Sequence, residues 1–232
     1  MRRVASSTIS TSGRCRVTRL RVGVLISGRG SNLRALVDAA RSADFPAQIA
    51  LVVSNVPGAG GLAIAQEAGI ATATLDHRAF KGREPFEQAL DATLRSAGIE
   101  FVCLAGFMRL LTAGFVDAWR DRMINIHPSL LPSFPGLDTH KRALAEGVRI
   151  AGCTVHFVRT AMDAGPIVGQ AAVPVLPGDD EAALAARVLA AEHRLYPASL
   201  RLIASGRVKV EGDRAVIADA GSPVPLIVNP AV

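Results

Sequence analysis

The stretch Arg21-Val22-Gly23-Val24-Leu25-Ile26-Ser27-Gly28-Arg29-Gly30-Ser31-Asn32 sets the architecture of this 232-residue chain. Its first seven residues form a short apolar run that reads as a buried strand, and Ser31 to Ala43 continues as a helix. The glycines between them let the backbone approach an anion, and free N–H groups at a helix start bind phosphate. Ser31 or Asn32 can cap the helix or reach that phosphate. The third glycine of the dinucleotide fingerprint is missing, no acidic residue clearly ends the second strand, and no Walker lysine follows. A monophosphate therefore fits the loop better than a dinucleotide. A purely structural strand-to-helix turn has the same composition.

Outward from this unit, strand and helix signals alternate. Ile49 to Ser54, Ala71 to Leu75, Glu100 to Leu104 and Met123 to His127 read as strands, with helical patterns over Gly61 to Ala68 and Arg83 to Ala97. A βαβα order implies an α/β fold with a doubly wound, mostly parallel sheet. A loop rich in Pro and Gly (132 to 136) precedes a helix near Thr139 to Glu146. Ala151 to Val158 and Pro166 to Val175 are apolar runs joined by a turn, the pattern of an antiparallel C-terminal portion. Glu181 to Ala204 is a long amphipathic helix opened by Asp179, Asp180 and Glu181, the charge that a helix N-terminus favours. A short hairpin (Val208 to Ile217) and a Pro-rich end follow. The expected organisation is a basic arm over 1–20, a single domain over 21–210 and a hairpin end and tail over 211–232, with no internal repeats.

Charge and composition narrow the partners. The formal charge of +6 is concentrated in the arm, where Arg2, Arg3, Arg14, Arg16 and Arg19 meet no acid; removing those five leaves 21 basic against 20 acidic residues. One Trp, one Tyr and eight Phe supply few stacking platforms, so composition argues against nucleic acid. Phe101 to Leu111 is interrupted by Gly106 and Arg109, and no apolar run reaches the roughly 18 residues of a membrane span. The arm has the composition of an organellar transit segment or a disordered leader and lacks the apolar core of a secretory signal. Cys15, Cys103 and Cys153 are odd in number and lack metal spacing. The reading is a reducing, cytoplasmic compartment, with organellar targeting left open, and no catalytic thiol.

The chemistry concentrates in Asn125-Ile126-His127-Pro128-Ser129-Leu130-Leu131-Pro132. Side chains alternate along a strand, so Asn125 and His127 point to the same face. Pro128 stops the strand and opens a loop at the sheet end where α/β proteins keep their ligands. An amide donor beside an imidazole suits a reaction in which an oxyanion develops and a proton moves. The same pair could also cap loose backbone groups at a strand end. Met162-Asp163-Ala164-Gly165-Pro166 places a carboxylate in a turn between the last two strands, where Asp also commonly bonds its own backbone. Donor, proton carrier and carboxylate are together the parts of an acyl-type transfer.

Four motifs in order, Gly28-Arg29-Gly30-Ser31-Asn32, Ala105-Gly106-Phe107-Met108-Arg109, Asn125 to Pro132 and Asp163-x-Gly165-Pro166, resemble the phosphoribosylglycinamide formyltransferases, the folate-dependent family of purine synthesis. The likeness runs from about Arg21 to Lys209. It implies a formyltransferase-type, Rossmann-like fold and transfer of formyl from 10-formyltetrahydrofolate to glycinamide ribonucleotide. It implies Asn125, His127 and Asp163 as the catalytic trio, with no metal required. It further implies that Gly30, Ser31, Asn32 and Glu192 hold the ribonucleotide. The folate pocket is then formed by Arg83, Met108, Arg109, Leu110, Leu111, Asn125, Arg159, Thr160, Ala161, Met162 and Asp163. The plain structural reading keeps Met108, Leu110 and Leu111 as core and Arg83 as a solvated helix residue; His156 matches the family near the site and also reads as a satisfied core imidazole. Two departures stand out: Asp138 where the family pattern has His, and Ala164 where Gly is common. The rival readings are formyltetrahydrofolate deformylase, methionyl-tRNA formyltransferase and a non-catalytic folate-binding protein. Against the first stand an additional N-terminal domain and a His in place of Pro128; against the second, an additional C-terminal domain. The sequence leaves the oligomeric state open.

Overall fold

The computed structural model describes residues 19–219 and 229. Most of the basic arm and of the tail expected from the sequence lies outside these residues. Arg19 and Leu20, which the sequence reading assigned to the arm, belong to the fold. Strand β1 begins at Leu20, and the Arg19 guanidinium donates to the carbonyls of Ala40 and Ala47.

A seven-stranded sheet forms from β1 (Leu20–Ile26), β2 (Ala47–Ser54), β3 (Ala71–Thr74), β4 (Phe101–Leu104), β5 (Met123–His127), β6 (Ile150–Phe157) and β7 (Ile167–Pro174) in the order β3-β2-β1-β4-β5-β6-β7. All pairs from β3 to β5 are parallel, whereas β5–β6 and β6–β7 are antiparallel. The helices are α1 (Ser31–Ala40), α2 (Gly60–Glu67), α3 (Arg83–Ser96), α4 (Ala113–Ala118), α5 (Thr139–Ala145) and α6 (Glu181–Ala204), and β8 (Val208–Glu211) and β9 (Arg214–Ile217) make a separate hairpin.

Period-2 alternation splits the core in two. Val22, Val24 and Ile26 of β1, Phe101 and Cys103 of β4 and Ile124 of β5 pack with Leu33 and Leu36 of α1 and Leu184 and Val188 of α6. Leu25, Val102, Leu104 and Met123 point to the opposite face, against Phe86, Leu90 and Leu94 of α3 and Phe115 of α4. Both faces of the central strands are thus covered, which explains their unbroken apolar runs. Asn125 and His127 share the phase of Met123 and so emerge on the α3/α4 side. The buried Tyr196 hydroxyl of α6 donates to the carbonyl of Leu104 at 2.8 Å, fixing the long helix beneath the ends of β4 and β5.

Two helical details depart from the sequence reading. Helix α1 ends at Ala40 rather than Ala43, because Ser42 bonds Asp44 and accepts from Phe45 N–H, a turn that carries Phe45 into the core. Helix α4 was not anticipated. Its six residues are too few to show periodicity, and its start is marked only by Thr112, whose hydroxyl accepts from Phe115 N–H.

Candidate active site

The site begins where β5 stops. Asn125 and His127 leave the strand on one face, and antiparallel pairing with β6 places His156 directly opposite Asn125 and Thr154 opposite His127. The loop after His127 is pinned from below by the fully buried Thr154. Its hydroxyl donates to Ser129 O at 2.7 Å and accepts from Leu131 N–H at 3.0 Å and from Gln170 at 3.0 Å. This Thr154–Gln170 support was not read from the sequence, because its partners are loop backbone groups more than 20 residues away.

Asp163 enters from the β6–β7 turn in a left-handed conformation, φ 54°. Asp and Asn tolerate that region better than most residues. Oδ2 accepts from Gly136 N–H at 2.8 Å and lies 3.5 Å from His127 Nδ1, while Oδ1 lies 3.8 Å from His156 Nε2. The side chains of His127, His156 and Asp163 are 7%, 3% and 11% exposed. A carboxylate so buried is held by oriented donors rather than by bulk water. His127 Nε2–H donates to Phe134 O at 3.0 Å, which leaves Nδ1 as the nitrogen facing Asp163.

His156 is set up differently. Its Nδ1–H donates to Phe157 O at 3.0 Å, leaving Nε2 as the acceptor for the Asn125 amide at 3.4 Å. Burial pushes its pKa below the ordinary histidine value, outweighing the Phe157 carbonyl and the Asp163 carboxylate, while His127 adds to the lowering. The neutral ring accordingly orients the Asn125 amide. His156 is thus a satisfied buried histidine, and it stands against both Asn125 and Asp163.

Beside these residues lies a cavity of about 360 Å³. Met108, Arg109, Leu110, Leu111, Asn125, Arg159, Thr160, Met162 and Asp163, all named above for a folate pocket, are among its lining residues. Met108, Leu110 and Met162 are 69%, 62% and 56% exposed, so they are rim residues rather than core. Arg109 lies over the Phe86 ring at 5.2 Å, and its buried Nε has no partner among the described residues. Arg159 pairs with Asp121 and donates to Val158 O, and its Nε likewise has no partner among the described residues. Two of the expected residues are not cavity walls. Arg83 stands exposed in the first turn of α3, and the Ala161 methyl is exposed between Thr160 and Met162, too short to reach inward.

The family departures are accommodated. Asp138 is exposed at φ 55° where α5 starts. In the acidic turn a Cβ on Gly165 would fall 1.7 Å from Phe157 O, so close approach demands glycine at 165 and not at Ala164.

The Gly-rich loop lies at the end of β1, separated from β5 by β4. Gly30 adopts φ 78°, and a Cβ there would meet Gly61 Cα at 2.6 Å, so only glycine fits between the loop and α2. Behind the loop, the Asn32 amide donates to Glu192 Oε2 at 2.7 Å, joining residues 160 positions apart. Asn32 Oδ1 is buried without a partner among the described residues. Glu192 is 6% exposed, and burial raises its pKa against the opposing Asn32 hydrogen bond. The Asn32–Glu192 bond thus brings Glu192 against the loop that carries Gly30 and Ser31.

The formyl transferase family profile matches residues 20–200. Phosphoribosylglycinamide formyltransferase of Escherichia coli (strain K12) is 44% identical over 196 residues, 84% of this chain and 92% of that protein. The human trifunctional purine biosynthetic protein adenosine-3 is 52% identical over 190 residues; the match covers 82% of this chain but only 19% of the longer protein. The crystal structure of glycinamide ribonucleotide transformylase 1 from Symbiobacterium toebii superposes with a TM-score of 0.85 at 48% identity, covering 87% of this chain and 95% of that one. The chain belongs to the formyl transferase family.

Proposed function

We propose that this enzyme transfers the formyl group of 10-formyltetrahydrofolate to the amine of glycinamide ribonucleotide, giving formylglycinamide ribonucleotide and tetrahydrofolate in purine biosynthesis. The observation that carries the reading is the convergence of Asn125, His127 and Asp163 at the wall of the 360 Å³ cavity, beside a separate Gly-rich anion loop on the adjoining parallel strands. The cavity takes the folate, with Arg109 and Arg159 in its wall supplying positive charge for an acidic group. The loop takes the phosphate, backed by the bonded Asn32–Glu192 pair.

The amine nitrogen attacks the formyl carbon, and the carbonyl electrons move onto oxygen. Asn125 has one amide hydrogen engaged by His156 and a second free for that oxyanion. A cationic His127 adds charge on the same side. The attacking nitrogen then gives up a proton, the folate nitrogen gains one, and the bond between that nitrogen and the formyl carbon breaks. Asp163, anchored by Gly136 N–H, stabilises the charged His127 ring and relays the proton between the two nitrogens directly or through water.

The reading is tested by incubating purified protein with 10-formyltetrahydrofolate, with and without glycinamide ribonucleotide, and following tetrahydrofolate release. Release that requires the ribonucleotide is the expected result. Release without it would establish hydrolysis instead, and folate binding without turnover would establish a carrier.

A further inference from the structure

The two loops that serve the two substrates follow neighbouring strands, β1 and β4, and diverge there. The chain leaves β1 through α1 toward β2, while β4 leads through α4 to β5. Such a switch point opens a crevice at the strand ends. Ser27, the first residue beyond β1, spans it. Its N–H donates to Gly106 O at 3.0 Å, its hydroxyl accepts from Met108 N–H at 2.8 Å, and the hydroxyl proton goes to Asn55 Oδ1 at 2.6 Å. Asn55 is 2% exposed at the end of β2, so the hydroxyl has a fixed direction. The next residues of the chain are the anion loop, and the residues after Met108 are the folate-cavity rim.

The rim needs such a tether. Phe107 and Leu111 pack against the α3/α4 side of the core, but Met108 and Leu110 between them bury little of their side chains, so backbone hydrogen bonds help set the path of the segment there. Its far end is held by another side chain outside the cavity: the buried Glu87 carboxylate accepts from both the N–H, at 2.9 Å, and the hydroxyl of Thr112. Glu87 belongs to α3 and anchors the rim to the scaffold, whereas Ser27 anchors it to the other substrate's loop.

We infer that Ser27 is a positioning residue that ties the folate-side segment Gly106–Leu111 to the nucleotide loop, so that a bound ribonucleotide strengthens folate binding. The inference rests on the two subsites assigned above. Ordering Gly28–Asn32 around a phosphate restrains Ser27, and a restrained Ser27 holds Met108 in the cavity-lining conformation. By linkage the effect is reciprocal.

The test uses Ser27→Ala and Ser27→Thr in the full chain. Tetrahydrofolate, which carries no formyl group to react, is titrated calorimetrically with and without saturating glycinamide ribonucleotide. The wild type should bind it more tightly when the nucleotide is present. In Ser27→Ala that enhancement should vanish, folate affinity should fall about tenfold, the size of one or two lost hydrogen bonds, and kcat should be kept while the KM for formyl folate rises. Ser27→Thr, which retains the hydroxyl, should restore each value. Amide exchange at Met108, read without substrates, should accelerate at least tenfold in Ser27→Ala and remain slow in Ser27→Thr. Unchanged exchange at Met108, or equal enhancement by the nucleotide in wild type and Ser27→Ala, overturns the inference. A wild-type protein that fails to turn over refutes the assigned reaction instead, and the exchange comparison then decides the role of Ser27 by itself.

Discussion

Replacing Asp163 by Asn separates charge from shape at the centre of the site. The left-handed backbone at 163 accepts Asn nearly as well as Asp, and the amide oxygen can keep the bond from Gly136 N–H, so the turn and the cavity wall should survive. What disappears is a negative charge 3.5 Å from His127 Nδ1. At an effective dielectric of about 20, the Coulomb attraction between unit charges at that separation is about 4 to 5 kcal/mol. Both side chains are nearly enclosed, so solvent screens little of it. If that attraction supports the cationic ring in the transition state, kcat should fall by about three orders of magnitude, at about 1.4 kcal/mol per tenfold. Loss of the proton relay acts in the same direction. Folate affinity should stay within about tenfold of wild type, because the wall of the cavity is unchanged. The assay is tetrahydrofolate release with both substrates saturating, together with a direct folate titration. Turnover near the wild-type level in Asp163→Asn would refute the mechanism, whatever the family assignment.

Asn125→Ala removes the second oxyanion donor and should cost on the order of a hundredfold or more in kcat; combined with Asp163→Asn, the loss should be smaller than the product of the single losses, measured as kcat/KM in a double-mutant cycle. Replacing Ser31 and Asn32 by Ala should weaken the ribonucleotide far more than the folate, because Asn32 and its partner Glu192 lie outside the folate cavity, and equal weakening in calorimetric titrations would make the loop purely structural. Deleting residues 2–18 while keeping Arg19, which bonds the carbonyls of Ala40 and Ala47, should leave turnover intact; a large loss of kcat would place the basic arm in the fold or the site. The lowered pKa of His156 means that the unfolded state binds its proton first as pH falls. Its contribution to stability is therefore present above about 6.5 and lost below it, and unfolding free energies from urea titrations between pH 7.5 and 5.5 should fall less steeply in His156→Gln than in wild type.

How much of this was legible in the residues follows from the range of the forces involved. The alternation of strands and helices, the Gly-rich turn, and the shared face of Asn125 and His127 are consequences of local backbone geometry: side chains in a strand repeat every two residues wherever the strand lies, and Pro128 ends a central strand in any context. The acidic opening of α6 was equally local, and the Asp180 carboxylate indeed accepts from Ala183 N–H at 2.8 Å. Short α4 escaped because six residues, one of them Gly114, carry too little pattern.

The neighbours of each chemical group were a different matter. His156 meets Asn125 because of the antiparallel register of β5 and β6, and a one-residue slip would turn it to the other face. Asp163 reaches two imidazoles only because Gly165 lets its turn fold against Phe157, and Asn32 meets Glu192 only after α6 packs on α1. Arg83 and Arg109 are both arginines near a folate-side motif, yet only Arg109 lies at the cavity, a choice made by the path of the segment that Ser27 and Glu87 hold in place. Local sequence therefore determined the elements and which way their side chains face. Tertiary structure alone decided which side chains meet, because register and loop path are set by contacts between residues far apart in the chain.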